Sequence, residues 1–134
     1  MQGNKKIIKI WFDLFHFGER NILAENNEVE IPWNLLGKYG NKRQINGANV
    51  NVPSLELLLV YKVKALHDRE YKLKRLLMSG IAGERGWLRG KIRKDMQDIR
   101  DILQTGKINE GVLDEILETT KFREYYEKAM RRFR

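Results

Sequence analysis

VPSLELLLVYKVKALHDR, residues 52–69, is where the chain changes character. Pro53 lacks a backbone N–H and pushes Val52 toward extended backbone, so a strand ends there. Ser54 is a good helix N-cap, and Glu56 puts a negative charge in the first turn, where the helix dipole favours one. Leu55, Leu58, Leu59, Ala65 and Leu66 then recur at helical spacing. The pattern predicts a helix from Pro53, apolar-periodic to about Leu66 and helical through Met78. Lys62 and Arg69 fall in the middle of its apolar face, because residues seven apart return to within about 20° of the same azimuth. A lysine in that position is costly unless it is paired, snorkels outward or meets a bound anion.

Upstream of Pro53 the chain reads mostly as β. Residues 5–17, KKIIKIWFDLFHF, are β-branched and aromatic, with Ile10, Phe12 and Leu14 alternating against Trp11, Asp13 and Phe15, the signature of a strand. Residues 22–23 and 28–31 are short strand candidates around a polar turn at 25–27. Pro32 opens a helical turn over 33–39, ended by Gly40. Residues 42–45 and 48–52 form the clearest hairpin, because Asn46-Gly47 accepts the positive φ angles of a type I′ turn.

Downstream, Gly80, Gly83, Gly86 and Gly90 predict a flexible connection ending near Trp87. A second helix is expected over 91–104, stopping at Gly106, then shorter ones over 109–117 and 121–133. Strands first and helices second make an α+β fold. The expectation is a single domain over 1–134, with a small, mostly antiparallel β region at about 5–52 and an α-helical region from 53.

Composition narrows the function classes. The chain has no cysteine, which removes disulfides, thiolate metal sites and a cysteine nucleophile, and points to a reducing compartment, the cytoplasm. No apolar run approaches the roughly 20 residues of a membrane span, and MQGNKK lacks the apolar core of a signal peptide, so no membrane association is expected. Twenty-six Lys and Arg against 18 Asp and Glu give a net charge of +8, which favours anionic partners. The cations concentrate at residues 62–75 and 85–94 and in the tail at Arg131, Arg132 and Arg134.

The second helix offers Lys62 a partner. Ile92, Met96, Ile99, Ile102 and Leu103 define its apolar sector, with Asp95 inside it, Asp98 at its edge and Asp101 on the far side. Two readings follow. In one, a buried Lys62–Asp95 ion pair fixes the packing of two helices. In the other, Lys62, Arg69 and Asp95 edge a cleft where the cations grip phosphates and the carboxylate orients a cation.

Residues 52–69 followed by KIRKDMQDIRDIL, residues 91–103, resemble the C-terminal half of the nucleotidyltransferase superfamily, in particular AbiEii-type and archaeal minimal nucleotidyltransferase-like proteins. Lys62 and Arg69 match that group's Lys and Arg with six residues between them; Lys94, Asp95, Asp98 and Ile99 match its Lys-Asp-x-x-Asp-Ile helix. IPWNLLGKYG and the hairpin before Pro53 also resemble it, so the likeness runs from about Ile10 to Leu103.

The resemblance implies transfer of a nucleoside monophosphate from a triphosphate, with Mg²⁺ held by strand carboxylates and the triphosphate steadied by the basic helix. Lys62 and Arg69 would bind phosphate, Asp13 and Asp95 would be the catalytic carboxylates, Asp13 the metal ligand, and Lys94 and Asp98 supporting residues. That chemistry needs at least two carboxylates around the metal. The family's Gly-Ser motif and Asp-x-Asp pair lie upstream of the region represented, and only Asp13 resembles its later strand carboxylate. The expectation is therefore a truncated nucleotidyltransferase-like fold that binds a nucleoside triphosphate or related polyanion and is incomplete as a stand-alone catalyst. The alternative is a noncatalytic module of that fold that binds RNA or another protein. A sheet without its first strands exposes an edge, which predicts a homodimer or a partner covering it.

Other residues carry blander expectations. For Asp13 a place at a strand end or a pair with a nearby lysine is an equal alternative. His16 and His67 lack ligand spacing, Trp33 and Tyr39 suit a core, and the glycine cluster lacks a P-loop's Gly-Lys-Ser/Thr ending. The terminal arginines read as a solvated tail.

Overall fold

The computed structural model describes residues 20–80 and 85–133. The strand expected over 5–17, with Asp13 and His16 on it, and the terminal Arg134 lie outside the described residues. The described elements are α1 (Leu35–Lys38), β1 (Gly40–Ile45), β2 (Ala48–Pro53), α2 (Leu55–Ser79), α3 (Arg85–Gln104), α4 (Glu110–Thr120) and α5 (Arg123–Met130), closed by a 3₁₀ turn over Arg131–Phe133. A two-stranded antiparallel sheet followed by helices is the α+β arrangement expected.

Local chemistry places most of these boundaries. β1 and β2 pair from Gly40 opposite Pro53 to Ile45 opposite Ala48. Asn46 and Gly47 make the turn with φ of 50° and 81°, the left-handed pair of a type I′ hairpin. The Ser54 hydroxyl accepts from the Leu57 N–H at 3.2 Å and caps α2. Gly80, at φ 74°, ends α2 in the left-handed conformation. Asn109 caps α4 through its side chain, 3.1 Å from the Val112 N–H.

Three expectations change. Residues 22–23 and 28–31 make a single antiparallel bridge, Ile22 opposite Glu30, because the turn leaves too few residues for a ladder. The helix expected from residue 91 begins at Arg85, so Gly86 and Gly90 lie inside α3 rather than in a connection. Two helical glycines cost about 1 kcal/mol each. Leu88, only 1 % exposed, recovers about 1.5–3 kcal/mol by burial, and the surrounding Arg, Leu and Lys are good helix formers. The third change concerns α2. Its pattern predicts one buried face, yet every residue from Glu56 to Lys64 is buried, as is Leu66. This half of α2 is the central rod of the domain, packed against α3, α4, α5 and β2. Leu23, Ile31, Leu58, Leu59, Ile116 and Phe122 belong to the core cluster around it.

Beyond Leu66 the burial falls away. Lys72, Lys74, Arg75, Leu77 and Met78 are exposed on α2, as are Trp87, Arg89 and Arg93 on α3. Leu88 is buried apart from the core cluster. Lys62 meets Asp98 while Arg69, further along α2, meets Asp95, so the two helices run antiparallel. Their far ends form a helical arm that leaves the core.

Candidate functional site

Two groups of charge sit on α2 and α3, and their geometries differ. The first lies where the rod half of α2 crosses α3. Lys62 Nζ is 3.3 Å from Asp95 Oδ1, to which it donates a hydrogen bond, and 2.9 Å from Asp98 Oδ2. Arg69 donates from Nη1 to the other oxygen, Asp95 Oδ2. Lys62, Asp95 and Asp98 are 1 %, 0 % and 3 % exposed, so three charged groups are sealed together and Arg69 closes them at the margin. The contact to Asp98 lacks hydrogen-bond geometry, which leaves Asp98 Oδ2 buried without a hydrogen bond among the described residues. Two cations and two carboxylates make the cluster formally neutral. Removing water from such charges is expensive, and only mutual pairing at these distances offsets it.

The structure thus brings together four of the residues singled out in the sequence: Lys62, Arg69, Asp95 and Asp98. Asp98, expected at the edge of the apolar sector, is a full partner of Lys62, because the ammonium sits between two carboxylates one helical turn apart. Lys94 is half-buried on α3 beside Asp95. Among the described residues, no group of three or more His, Asp or Glu side chains is placed to hold a metal ion.

Other buried polar groups tie the rod to its surroundings. Glu56 Oε2 accepts from the Asn109 N–H at 3.0 Å, joining the first turn of α2 to the cap of α4. Lys64 pairs with Asp68 at 2.5 Å, and Asp68 in turn accepts from the Ala24 N–H at 2.9 Å. His67 meets Glu25 at 2.6 Å, and Arg132 pairs with Glu70 at 2.7 Å, so that part of the expected solvated tail is docked against α2. Tyr39 is buried, and the Trp33 ring packs 5.0 Å from that of Tyr61, so both aromatics of the 33–39 turn join the packing. Burial pushes the Tyr61 phenol well above its usual ionisation range.

The second group is the arm. Residues 71–94 hold eight lysines and arginines and one glutamate, a net +7 out of the chain's +8. Helical spacing sets Arg85, Arg89 and Arg93 along one side of α3, and Trp87, Lys91 and Lys94 along another. Arg75 lies over the Tyr71 ring at 5.8 Å, and Lys91 over the Trp87 ring at 5.8 Å. Two open clefts flank Tyr71 and Arg75. One of about 460 Å³ adds Lys74, Lys128 and Arg132 together with Glu25 and Glu70; the other, of about 560 Å³, adds Lys72 and Ser79 together with Asp68.

The sequence locates these cations, but the expected glycine connection hid their arrangement. Once α3 starts at Arg85, the scattered arginines become a row. No helix among the described residues is long and apolar enough to cross a membrane. No family model, curated protein or solved structure matches the chain.

Proposed function

We propose that this chain is a nucleic-acid-binding module whose binding surface is the arm formed by the far ends of α2 and α3. The observation that carries the reading is the separation of charge: nearly all of the net +8 stands on the arm, while the cluster at the helix crossing is neutral and sealed. Cations rowed along two antiparallel helices suit a phosphate backbone, and arginine's planar fork suits phosphate oxygens. Such binding must weaken with salt, because each phosphate contact releases counterions, with a log–log slope of about −0.9 per contact on duplex and −0.7 on single strands. Titrating a labelled oligonucleotide at several salt concentrations tests it. A steep negative slope is expected; affinity independent of salt, or no binding at low salt, overturns the reading.

A second reading, a nucleoside triphosphate held by Lys62 and Arg69 with Mg²⁺ as in nucleotidyltransferase-like proteins, draws support from one observation. Both cations converge on the same carboxylate, Asp95, so they are already spaced to share an anion. Phosphate would have to replace Asp95 there. This reading predicts that Mg²⁺-nucleoside triphosphate binds and protects the fold against heat, and that Lys62→Met abolishes the protection; a melting temperature unmoved by millimolar nucleotide contradicts it.

A further inference from the structure

Resting on the nucleic-acid reading, we infer that Trp87 is a stacking platform that gives the arm a preference for single-stranded over duplex nucleic acid. Among the described residues the exposed large apolar side chains are Leu77, Met78 and Trp87, at 45 %, 80 % and 58 % exposure, and they lie in the last turn of α2 and the first turn of α3. Apolar surface left in water at one end of a molecule marks a contact site. Its surroundings choose the partner. Lys91 lies over the Trp87 ring, Arg85 and Arg89 stand on the same first turns of α3, and the next aromatic along the arm, Tyr71, carries Arg75 over its ring.

An exposed indole among cations is the arrangement that takes an unstacked base, with the ring meeting the base face and the cations meeting the flanking phosphates. A duplex keeps its base faces inside the stack and offers this ring only backbone, so the indole discriminates by strandedness while the arginine row does not. The three apolar side chains are too few, and too closely set among arginines and lysines, to form the continuous apolar face of a helix lying in a bilayer interface. Charge complementarity and the flat ring therefore favour a single strand.

The test is binding of the full chain to fluorescent oligouridylate and to a duplex of equal length, for wild type, Trp87→Ala, Trp87→Gln and Trp87→Phe, with helicity checked by circular dichroism. Because Trp87 is exposed, the variants are expected to fold. Stacking predicts a loss of roughly tenfold on the single strand for the Ala and Gln variants, near wild-type affinity for Phe, and little change on the duplex. Equal losses on both nucleic acids, or none, overturn the inference. If the Ala variant loses binding to phosphatidylserine vesicles but not to oligouridylate, Trp87 is a membrane contact and the inference also falls. The two readings fail separately: wild type that binds both nucleic acids with a steep salt slope, and is unaffected by Trp87→Ala, keeps the polyanion reading and loses the stacking one. Wild type that binds neither loses both.

Discussion

The helix α2 spends its charges in two ways. In its first half, Lys62 is sealed against Asp95 and Asp98, and every neighbouring residue is buried. In its second half, Lys72, Lys74 and Arg75 face solvent with few carboxylates nearby in sequence. The residue types are the same, and the surroundings decide what they do. A buried cation must be matched where it stands, so it fixes how helices pack. An exposed row of like charge contributes little to stability and creates a field that draws anions. The rod half holds the fold, and the arm is free to bind.

The largest expected effect breaks the rod side of this contrast. Asp95→Ala leaves the Lys62 ammonium short of a carboxylate and Arg69 without its partner, and should cost about 3–5 kcal/mol in urea unfolding. A cost below about 1 kcal/mol would mean that the cluster is solvated rather than sealed. Glu56→Ala removes the acceptor of the Asn109 N–H and should cost about 2 kcal/mol, again in the rod and again without altering nucleic-acid affinity.

The arm answers to different changes. Gly86→Ala and Gly90→Ala each place a methyl group where nothing lies within 4 Å, on helical backbone, so each should stabilise by about 0.5–1 kcal/mol. A loss on either substitution would show that α3 frays before residue 91.

The smallest effect belongs to an exposed pair. The Arg20 guanidinium, hydrogen-bonded to Glu30 at 2.7 Å, holds that carboxyl below its usual value of 4.5. A lowered folded pKa contributes stability above the unfolded value and loses it as pH falls through the folded one. Glu30→Gln should therefore lower Tm at pH 7 by no more than about two degrees, with the difference vanishing in acid.

What the sequence reveals is what neighbours along the chain decide. Ser54, Asn46-Gly47 and Gly80 mark a cap, a turn and a stop through their own backbone chemistry. The meeting of Lys62 with Asp95 follows from azimuth alone, since each lies inside an apolar sector. What stays hidden depends on partners distant in sequence. Asp98 becomes a partner because Lys62's ammonium settles between two turns of α3. The rod's all-round burial needs residues 20–39 and α4 and α5 to cover its other faces. The start of α3 at Arg85 goes with the burial of Leu88, against which two glycines count for little. Trp87's exposure is legible only once that helix exists.

The contrast between rod and arm is tested most directly by the salt dependence of nucleic-acid binding in two variants compared with wild type. In the first, Arg85, Arg89 and Arg93 are all replaced by Gln; in the second, Lys62 is replaced by Met. On single strands the arm variant should flatten the log–log salt slope by about 2 and weaken binding at low salt. The Lys62→Met protein, at temperatures where it remains folded, should keep both the slope and the affinity of wild type. The reverse pattern, binding lost with Lys62 and kept without the three arginines, would contradict the account and return the anion site to the helix crossing.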